Sequence, residues 1–174
     1  MEDQIRIAAF QWLKEQTILY GEVLPRALLE RGFEFHGQQV TLVGPSSIWK
    51  PRMFERIPLS ITTIYEGPYE DSFTRKGFLN YRYRGTDPFH RDNVGLRQAM
   101  KEQVPLIYFH NIIKGKYLAV WPVFIIQDNP EGLQFTVAAD EWSSIEHYLK
   151  KSKVDTFSDA IKNRLPQKAF REAG

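Results

Sequence analysis

The chain has 174 residues, 43% of them hydrophobic, and a formal net charge of +2, which suits one domain with a sizeable core. It contains no cysteine, so disulfides, thiol nucleophiles and thiolate zinc sites are excluded within these residues. No run approaches the roughly 20 apolar residues that cross a bilayer, and the first residues lack the features of a signal peptide. We therefore expect a cytoplasmic protein that is not inserted in a membrane.

The first 45 residues predict two helices and a hairpin. Apolar residues at helical spacing indicate an amphipathic helix over 5–13, and a short helix over 24–31 should end at Gly32. Residues 33–36 alternate, Gly37 and Gln38 can turn, and residues 40–43 form the return strand. These elements are either a small winged-helix-like cap or packing elements on the main domain. The second alternative is favoured because none of the helices has a basic face.

After a linker that begins at residues 44–47, the pattern is mostly β. Strands are predicted over 59–64, 79–83, 106–109, 117–126 and 133–138, with one helix over 93–102. This order favours an α+β domain whose core, over about 57–140, is a curled, mostly antiparallel barrel. Residues 143–149 and 156–165 predict helices in the tail. Alternate residues of the longest strand should line one face, namely Tyr117, Ala119, Trp121, Val123 and Ile125.

Positive charge is concentrated in the middle of the chain. Between Lys50 and Lys101 there are ten Lys and Arg residues against six acids, a local charge of about +4. Such clustering is typical of a nucleic-acid-binding surface. From charge alone, however, a solvated surface of mixed charge is the more frequent explanation.

The same region has an unusual order of aromatic and charged residues. Gly67-Pro-Tyr-Glu-Asp71 is followed by Tyr81-Arg-Tyr-Arg-Gly85 and then by Asp92-Asn-Val-Gly-Leu96. Aromatic and charged residues between turn-formers are typical of a rim that stacks on flat groups and contacts phosphates. This order resembles the SET- and RING-associated (SRA) domain, which reads modified cytosine in DNA. Residues 104–110 and 115–125 resemble the barrel strands that follow in that family.

Taken whole, the chain is similar to the amino-terminal part of bacterial SRA-HNH endonucleases, the McrA-like modification-dependent restriction enzymes. The resemblance implies an SRA/PUA-like barrel over 46–142, with packed amino-terminal elements over 1–45. It also implies a helical tail over 143–174 that leads toward an HNH nuclease domain. The expected partners are double-stranded DNA with a modified base and that nuclease; a homodimer is left open. We expect no cofactor, no metal and no catalytic residue, so this chain should bind DNA without cutting it.

A pocket for one base needs particular side chains. Extruding a base from a duplex costs a few kcal/mol, and stacking on aromatic rings recovers about 1–3 kcal/mol for each base stacked. The resemblance makes Tyr69 and Tyr83 the two walls of the pocket; without it, either ring could simply pack on a barrel rim. Cytosine also needs an acceptor for its amine. The family's carboxylate position is Ser72 here, so we expect Asp71 with Ser72 to read the base edge.

This departure leaves the identity of the base open. The resemblance favours 5-methyl- or 5-hydroxymethylcytosine, and a modified adenine is the alternative. Phosphate contacts are expected from Lys50, Arg52, Arg84 and Arg91. The family's finger loop, which enters the DNA on extrusion, falls at Asn93, and we expect His90, Arg91 and Asn93 to occupy the gap or to contact the orphan base. Alternatively, Arg84 forms a surface ion pair with Asp87, and Asn93 caps a helix.

An enzyme is the second hypothesis. In it the barrel holds the active site of a nucleic-acid or nucleotide hydrolase, with acid-base and metal-binding groups at Glu70, Asp71, Asp87 and His90. Against it, the four histidines are scattered and lack the spacing of known metal motifs.

Overall fold

The computed structural model describes residues 1–63, 78–139 and 142–152, without the side chains of 142–145 and 152. Four helices and nine strands are present in these residues. In chain order they are α1 (Glu2–Tyr20), β1 (Val23–Pro25), α2 (Arg26–Arg31), β2 (Phe33–Phe35), β3 (Gln38–Val40), β4 (Ile48–Trp49), β5 (Ser60–Thr63), β6 (Phe78–Arg82), α3 (Arg91–Glu102), β7 (Leu106–Ile113), β8 (Lys116–Asn129), β9 (Gln134–Ala139) and α4 (Trp142–Ser152).

The main sheet is curled. Its strand order is β4-β5-β7-β8-β9-β6, with β1 added beside β8, and of its described pairings only β5 with β7 is parallel. Three strands separate β5 from β6, yet the Tyr81 hydroxyl of β6 donates to the Thr62 carbonyl of β5 over 3.2 Å. A flat sheet could not bring these strands together, because neighbouring strands lie about 4.8 Å apart. The predicted α+β class with a curled, mostly antiparallel sheet is confirmed.

The amino-terminal elements pack on the outer face of this sheet. Ile5, Phe10 and Leu13 of α1 lie in one buried cluster with Phe109 and Trp121 of the sheet. Residues 23–25 form β1 rather than the start of the second helix, because they pair with Leu118, Tyr117 and Lys116. The hairpin β2–β3 is present, but its turn is at His36 and Gly37, one residue earlier than predicted. Both residues have positive φ angles (47° and 82°), as tight two-residue hairpin turns require.

The prediction that alternate residues of the longest strand line one face is wrong beyond the middle of that strand. Tyr108 pairs with Val120, whereas Leu106 pairs with Val123, so β8 contains one extra residue between these pairs. An extra residue reverses the faces of all side chains after it. Tyr117, Ala119 and Trp121 consequently lie in the outer cluster, whereas Val123 and Ile125 lie in the inner cluster, on the face that α3 covers. Pro122, which lacks an N–H, lies at this bulge.

A buried arginine ties α1 to two loops of the sheet. The Arg6 Nη1 group donates to the carbonyl oxygens of Pro58 (2.8 Å) and Pro105 (3.0 Å), just before β5 and β7. Its guanidinium lies 5.1 Å from the centre of the Phe54 ring. Burial lowers the pKa of Arg6, since a low-polarity environment disfavours its charged form. Among the described helices, none has the length and apolar character needed to cross a membrane.

Gly32 and Gly37 form a matched pair for testing the packing of the hairpin. Both have positive φ angles (66° and 82°), so an alanine at either position costs about 1–2 kcal/mol in backbone strain. At Gly32 the new Cβ would also overlap the Val40 carbonyl, whereas at Gly37 nothing lies within 4 Å. We expect Gly32→Ala to lose about 1–3 kcal/mol more than Gly37→Ala in urea unfolding. Equal losses would contradict this packing.

Candidate nucleic-acid interface

Three tyrosines with bonded hydroxyls line the inner face of the curled sheet. Tyr81 donates to Thr62, as described above. The Tyr108 hydroxyl lies 2.6 Å from Thr63 Oγ1, and both groups lie within 3.2 Å of the His110 Nδ1 atom. Buried tyrosines need such partners, because an unbonded hydroxyl is costly in an apolar core. The inner face at the end of β5 is therefore polar as well as aromatic.

The third tyrosine, Tyr83, belongs to a cluster that we call the Tyr83 triad: Tyr83, Arg97 and Asp128. The Tyr83 hydroxyl donates to Asp128 and accepts from Arg97 Nη2 at 3.3 Å. Arg97 Nε donates to Asp128 Oδ2 at 2.6 Å. The Tyr83 ring packs on Phe135, with 4.7 Å between ring centres, and the residue is only 5% exposed. The sequence predicted this ring as a pocket wall; the structure places it in the inner core with a fixed orientation.

Electrostatics within the triad follow from burial and bonding. Burial raises the pKa of the Tyr83 phenol, and its hydrogen bond to Asp128 adds to that shift. The hydrogen bond to Asp128 raises the pKa of Arg97. The carboxylate of Asp128 thus accepts hydrogen bonds from a cation, Arg97, and from a neutral hydroxyl, Tyr83, at the same time. Its role is to hold both groups in place.

Asn93 is buried and determines the shape of the residues before α3, which we call the 84–90 loop. Its Oδ1 accepts from the Arg84 N–H at 2.7 Å. Its Nδ2 donates to the carbonyls of Arg84 (3.0 Å) and Asp87 (2.9 Å). With its amide used in this way, the side chain is not at the surface where the finger prediction required it.

The alternative role of Asn93 as a helix cap is wrong. Helix α3 begins at Arg91, two residues earlier than predicted, and its N-cap is His90. The His90 Nδ1 atom accepts from the Asp92 N–H at 3.1 Å. Histidine is an uncommon capping residue, which is why the sequence pattern pointed to Asn93 instead.

The residues of the hydrolase hypothesis that the structure describes have roles within the 84–90 loop. Asp87 Oδ1 accepts from the Phe89 N–H at 2.9 Å, and the Asp87 carbonyl accepts from the His90 N–H at 3.1 Å. In the ranges 1–63, 78–139 and 142–152, no three His, Asp or Glu side chains are grouped to hold a metal ion. Glu70 and Asp71 lie outside the described residues.

Arg84 pairs with Asp92, whereas the sequence had suggested an ion pair with Asp87. Its Nη1 donates to Asp92 Oδ2 at 2.9 Å and also to Ser46 Oγ. Arg91 is 3.9 Å from the same carboxylate group, and its side chain is 88% exposed. Asp92 therefore neutralises part of the positive charge at the start of α3, while Arg91 projects into solvent.

Arg84 also lines a cavity of about 320 Å³, which we call the arginine cavity. A second arginine, Arg26, lies in its wall and donates to the Gly44 carbonyl (2.8 Å) and the Tyr117 hydroxyl (3.2 Å). Hydroxyl groups and backbone complete the lining, and Arg26 also pairs with Glu30 at 3.5 Å. The lining residues are Arg26, Gly44, Pro45, Ser46, Ser47, Thr62, Arg84 and Tyr117.

A larger hollow of about 710 Å³, which we call the basic groove, lies next to this cavity. Its lining includes Trp49, Lys50 and Arg52. An added Cβ at Gly44 would overlap the Trp49 ring, so Gly44 contacts this ring and lines the arginine cavity as well. Neither Lys50 nor Arg52 forms an ion pair with a described carboxylate. Lys50 Nζ donates to the Glu55 carbonyl at 2.8 Å.

The predicted site residues thus divide into four groups, the first of which is Tyr83 alone, in the inner core. Tyr69, Asp71 and Ser72 lie outside the described residues. Arg84, His90, Arg91 and Asn93 come together around the start of α3, and Lys50 and Arg52 lie in the adjoining groove. Sequence reasoning missed Arg97 and Asp128 as a bonded pair. Arg97 follows Asn93 by one helical turn, but nothing in the sequence indicates that Asp128 meets it.

The sequence matches no protein-family model and no curated protein. Among solved structures, the chain is similar to the SUVH5 SRA domain in a complex with methylated CHH DNA. The identity is 16% and the TM-score is 0.39, over 65% of this chain and 90% of that one.

The raised pKa of Tyr83 predicts a loss of stability at high pH. Up to the unfolded pKa of about 10, the stabilisation of the neutral phenol is fully present. As the pH rises further toward the folded pKa, the unfolded chain ionises first and the stabilisation is lost. We expect urea unfolding between pH 9 and 11 to show a steeper fall for the wild type than for Tyr83→Phe. Parallel curves would contradict a buried, neutral Tyr83.

Proposed function

We propose that this chain is a DNA-binding module that recognises a modified base, 5-methyl- or 5-hydroxymethylcytosine, by base flipping. The observation that carries the proposal is the position of Tyr83. This ring follows β6 on the inner face of the curled sheet, and the next residue, Arg84, lines the arginine cavity. An aromatic ring next to a cationic cavity suits a nucleotide, since a base stacks and its phosphate binds cations.

The pocket must offset the cost of extrusion. A ring that is already oriented by Arg97 and Asp128 loses little further freedom when a base stacks on it. Because Tyr83 is only 5% exposed, a base that reaches it must displace the groups that cover it. We propose Tyr69 as the second wall and Asp71 with Ser72 as the groups that read the base edge. A modified adenine remains the alternative ligand for this pocket.

Phosphates are proposed to bind along the arginine cavity and the basic groove. Lys50 in the groove lies four positions after Ser46, which contacts Arg84. An extended chain of that length spans at most about 14 Å, so one DNA strand can contact both hollows. Arg84, Arg91, Lys50 and Arg52 are the proposed contacts. His90 and Asn93 contribute by holding the loop that carries Arg84 and leads into Arg91 at the start of α3.

We also propose that the module directs an HNH nuclease to modified DNA. The support is the similarity of the sequence to the amino-terminal parts of SRA-HNH endonucleases. The module supplies recognition, and the nuclease supplies cleavage. The alternative, a hydrolase in the barrel, rests on the acidic residues Glu70, Asp71 and Asp87.

The proposal predicts tighter binding to a modified duplex than to a matched unmodified one. The test is a pair of titrations at fixed salt, with folding of each variant checked by circular dichroism. Tyr69→Ala should reduce the ratio of the two affinities by about 5- to 150-fold, the equivalent of one base stack. A ratio that survives both Tyr69→Ala and Tyr83→Ala would show that these rings are not the pocket. Magnesium-dependent cleavage that Asp71→Ala abolishes would support the hydrolase instead.

The basic groove predicts a change in salt dependence. The double variant Lys50→Ala/Arg52→Ala should lower the slope of log K against log salt by about 2, because each lost phosphate contact removes about 0.9. Modified and unmodified duplexes should be affected equally. The matched control is Lys14→Ala/Lys150→Ala, which removes two cations that form no described ion pair and lie outside both hollows. Equal slopes for the two double variants would exclude phosphate binding in the groove.

A further inference from the structure

Phe89 is the most exposed large hydrophobic residue among those described, at 81%. Burial of such a side chain stabilises a protein or a complex, and the fold leaves that stabilisation unused. Single exposed apolar residues are common on proteins, so exposure alone assigns no role. The surroundings of Phe89 distinguish it from an ordinary surface residue.

The backbone on both sides of Phe89 is held in place. Its own N–H donates to Asp87 Oδ1 at 2.9 Å, and Arg97 donates to the preceding Pro88 carbonyl from Nη1 (3.2 Å) and Nη2 (3.3 Å). Asn93 secures the Arg84 and Asp87 carbonyls of the same loop. The ring therefore projects from a fixed support, and ordering it on a ligand costs little entropy.

Charge and connectivity relate Phe89 to the proposed pocket. Arg91, two residues later, has an 88% exposed side chain, and Arg84 lies at the other end of the same loop. Arg97 bonds the Tyr83 hydroxyl with the same Nη2 atom that contacts the Pro88 carbonyl. One side chain thus sets the position of Phe89 relative to Tyr83. An apolar tip between two cations suits insertion into a duplex, where arginines bind phosphates and a ring separates base steps.

We propose that Phe89 is an apolar wedge that inserts between base pairs next to the modified base and unstacks the duplex. The inference rests on the proposed function, because it assigns how the same interface opens the DNA. It replaces Asn93, whose side chain is buried, with a residue that can reach the bases. The ligand is double-stranded DNA, and the contact is independent of the groups that read the modification.

The experiment uses duplexes with 2-aminopurine beside the modified or unmodified base, because this fluorophore brightens when its neighbours unstack. We expect wild-type protein to raise the fluorescence and Phe89→Ala to abolish the rise and weaken binding by about tenfold or more. Phe89→Leu, which keeps an apolar tip, should retain most of both effects. Ile18→Ala is the matched control, because Ile18 is 75% exposed and lies on α1. The salt slope should not change with Phe89→Ala, since no charge is lost.

The outcomes separate the wedge from the function. If the wild type prefers modified DNA and Phe89→Ala keeps both affinity and fluorescence, the wedge is wrong and the reader function stands. If the wild type shows no preference but Phe89→Ala abolishes the fluorescence rise on both duplexes, the wedge stands and the reader function is wrong. A wild type that shows neither a preference for modified DNA nor a fluorescence rise refutes both the wedge and the reader function. A change in oligomeric state on gel filtration without a change in DNA binding would make Phe89 a protein contact and overturn the wedge.

Discussion

The ion pair between Arg97 and Asp128 is the interaction on which the candidate interface depends. Its partners come from α3 and β8, and it is the only described ion pair in which both side chains are at least four-fifths buried. Arg97 also bonds the Tyr83 hydroxyl and the Pro88 carbonyl. Removing one partner of such a pair would leave the other charge without compensation, which is strongly destabilising. A helix, a strand and a loop are thereby held in one arrangement.

Around this pair, some polar groups of the interface are used to hold the backbone or to neutralise a charge, whereas others are not. Asn93, Asp87 and the His90 ring are occupied by backbone bonds of the 84–90 loop. Asp92 partly neutralises the cations at the start of α3. The positive charge that the sequence concentrates between Lys50 and Lys101 is therefore reduced near α3 and retained in the basic groove. Net charge alone does not reveal this distribution, because it depends on which acids lie within reach of which bases.

Much of the fold could be predicted because it follows from local patterns. Alternating apolar residues identified five strands of the main sheet, and helical spacing with Gly32 identified the first helices. The bulge between Val120 and Val123 was not predictable from alternation, since an inserted residue changes the period without a change in composition. Strand β1 was also missed, because three residues acquire strand structure only by pairing with β8.

The site was less predictable than the fold because its geometry is formed by residues distant in sequence. The sequence pattern marked Tyr83 but could not show that Asp128, 45 positions later, would bind its hydroxyl. The pattern also pointed to Asn93 as an exposed polar residue, although its amide bonds two carbonyls and one N–H of the 84–90 loop. The same bonds hold the backbone of the 84–90 loop, in which Phe89 is 81% exposed. The bonds that bury the asparagine therefore also hold the loop from which the exposed ring projects.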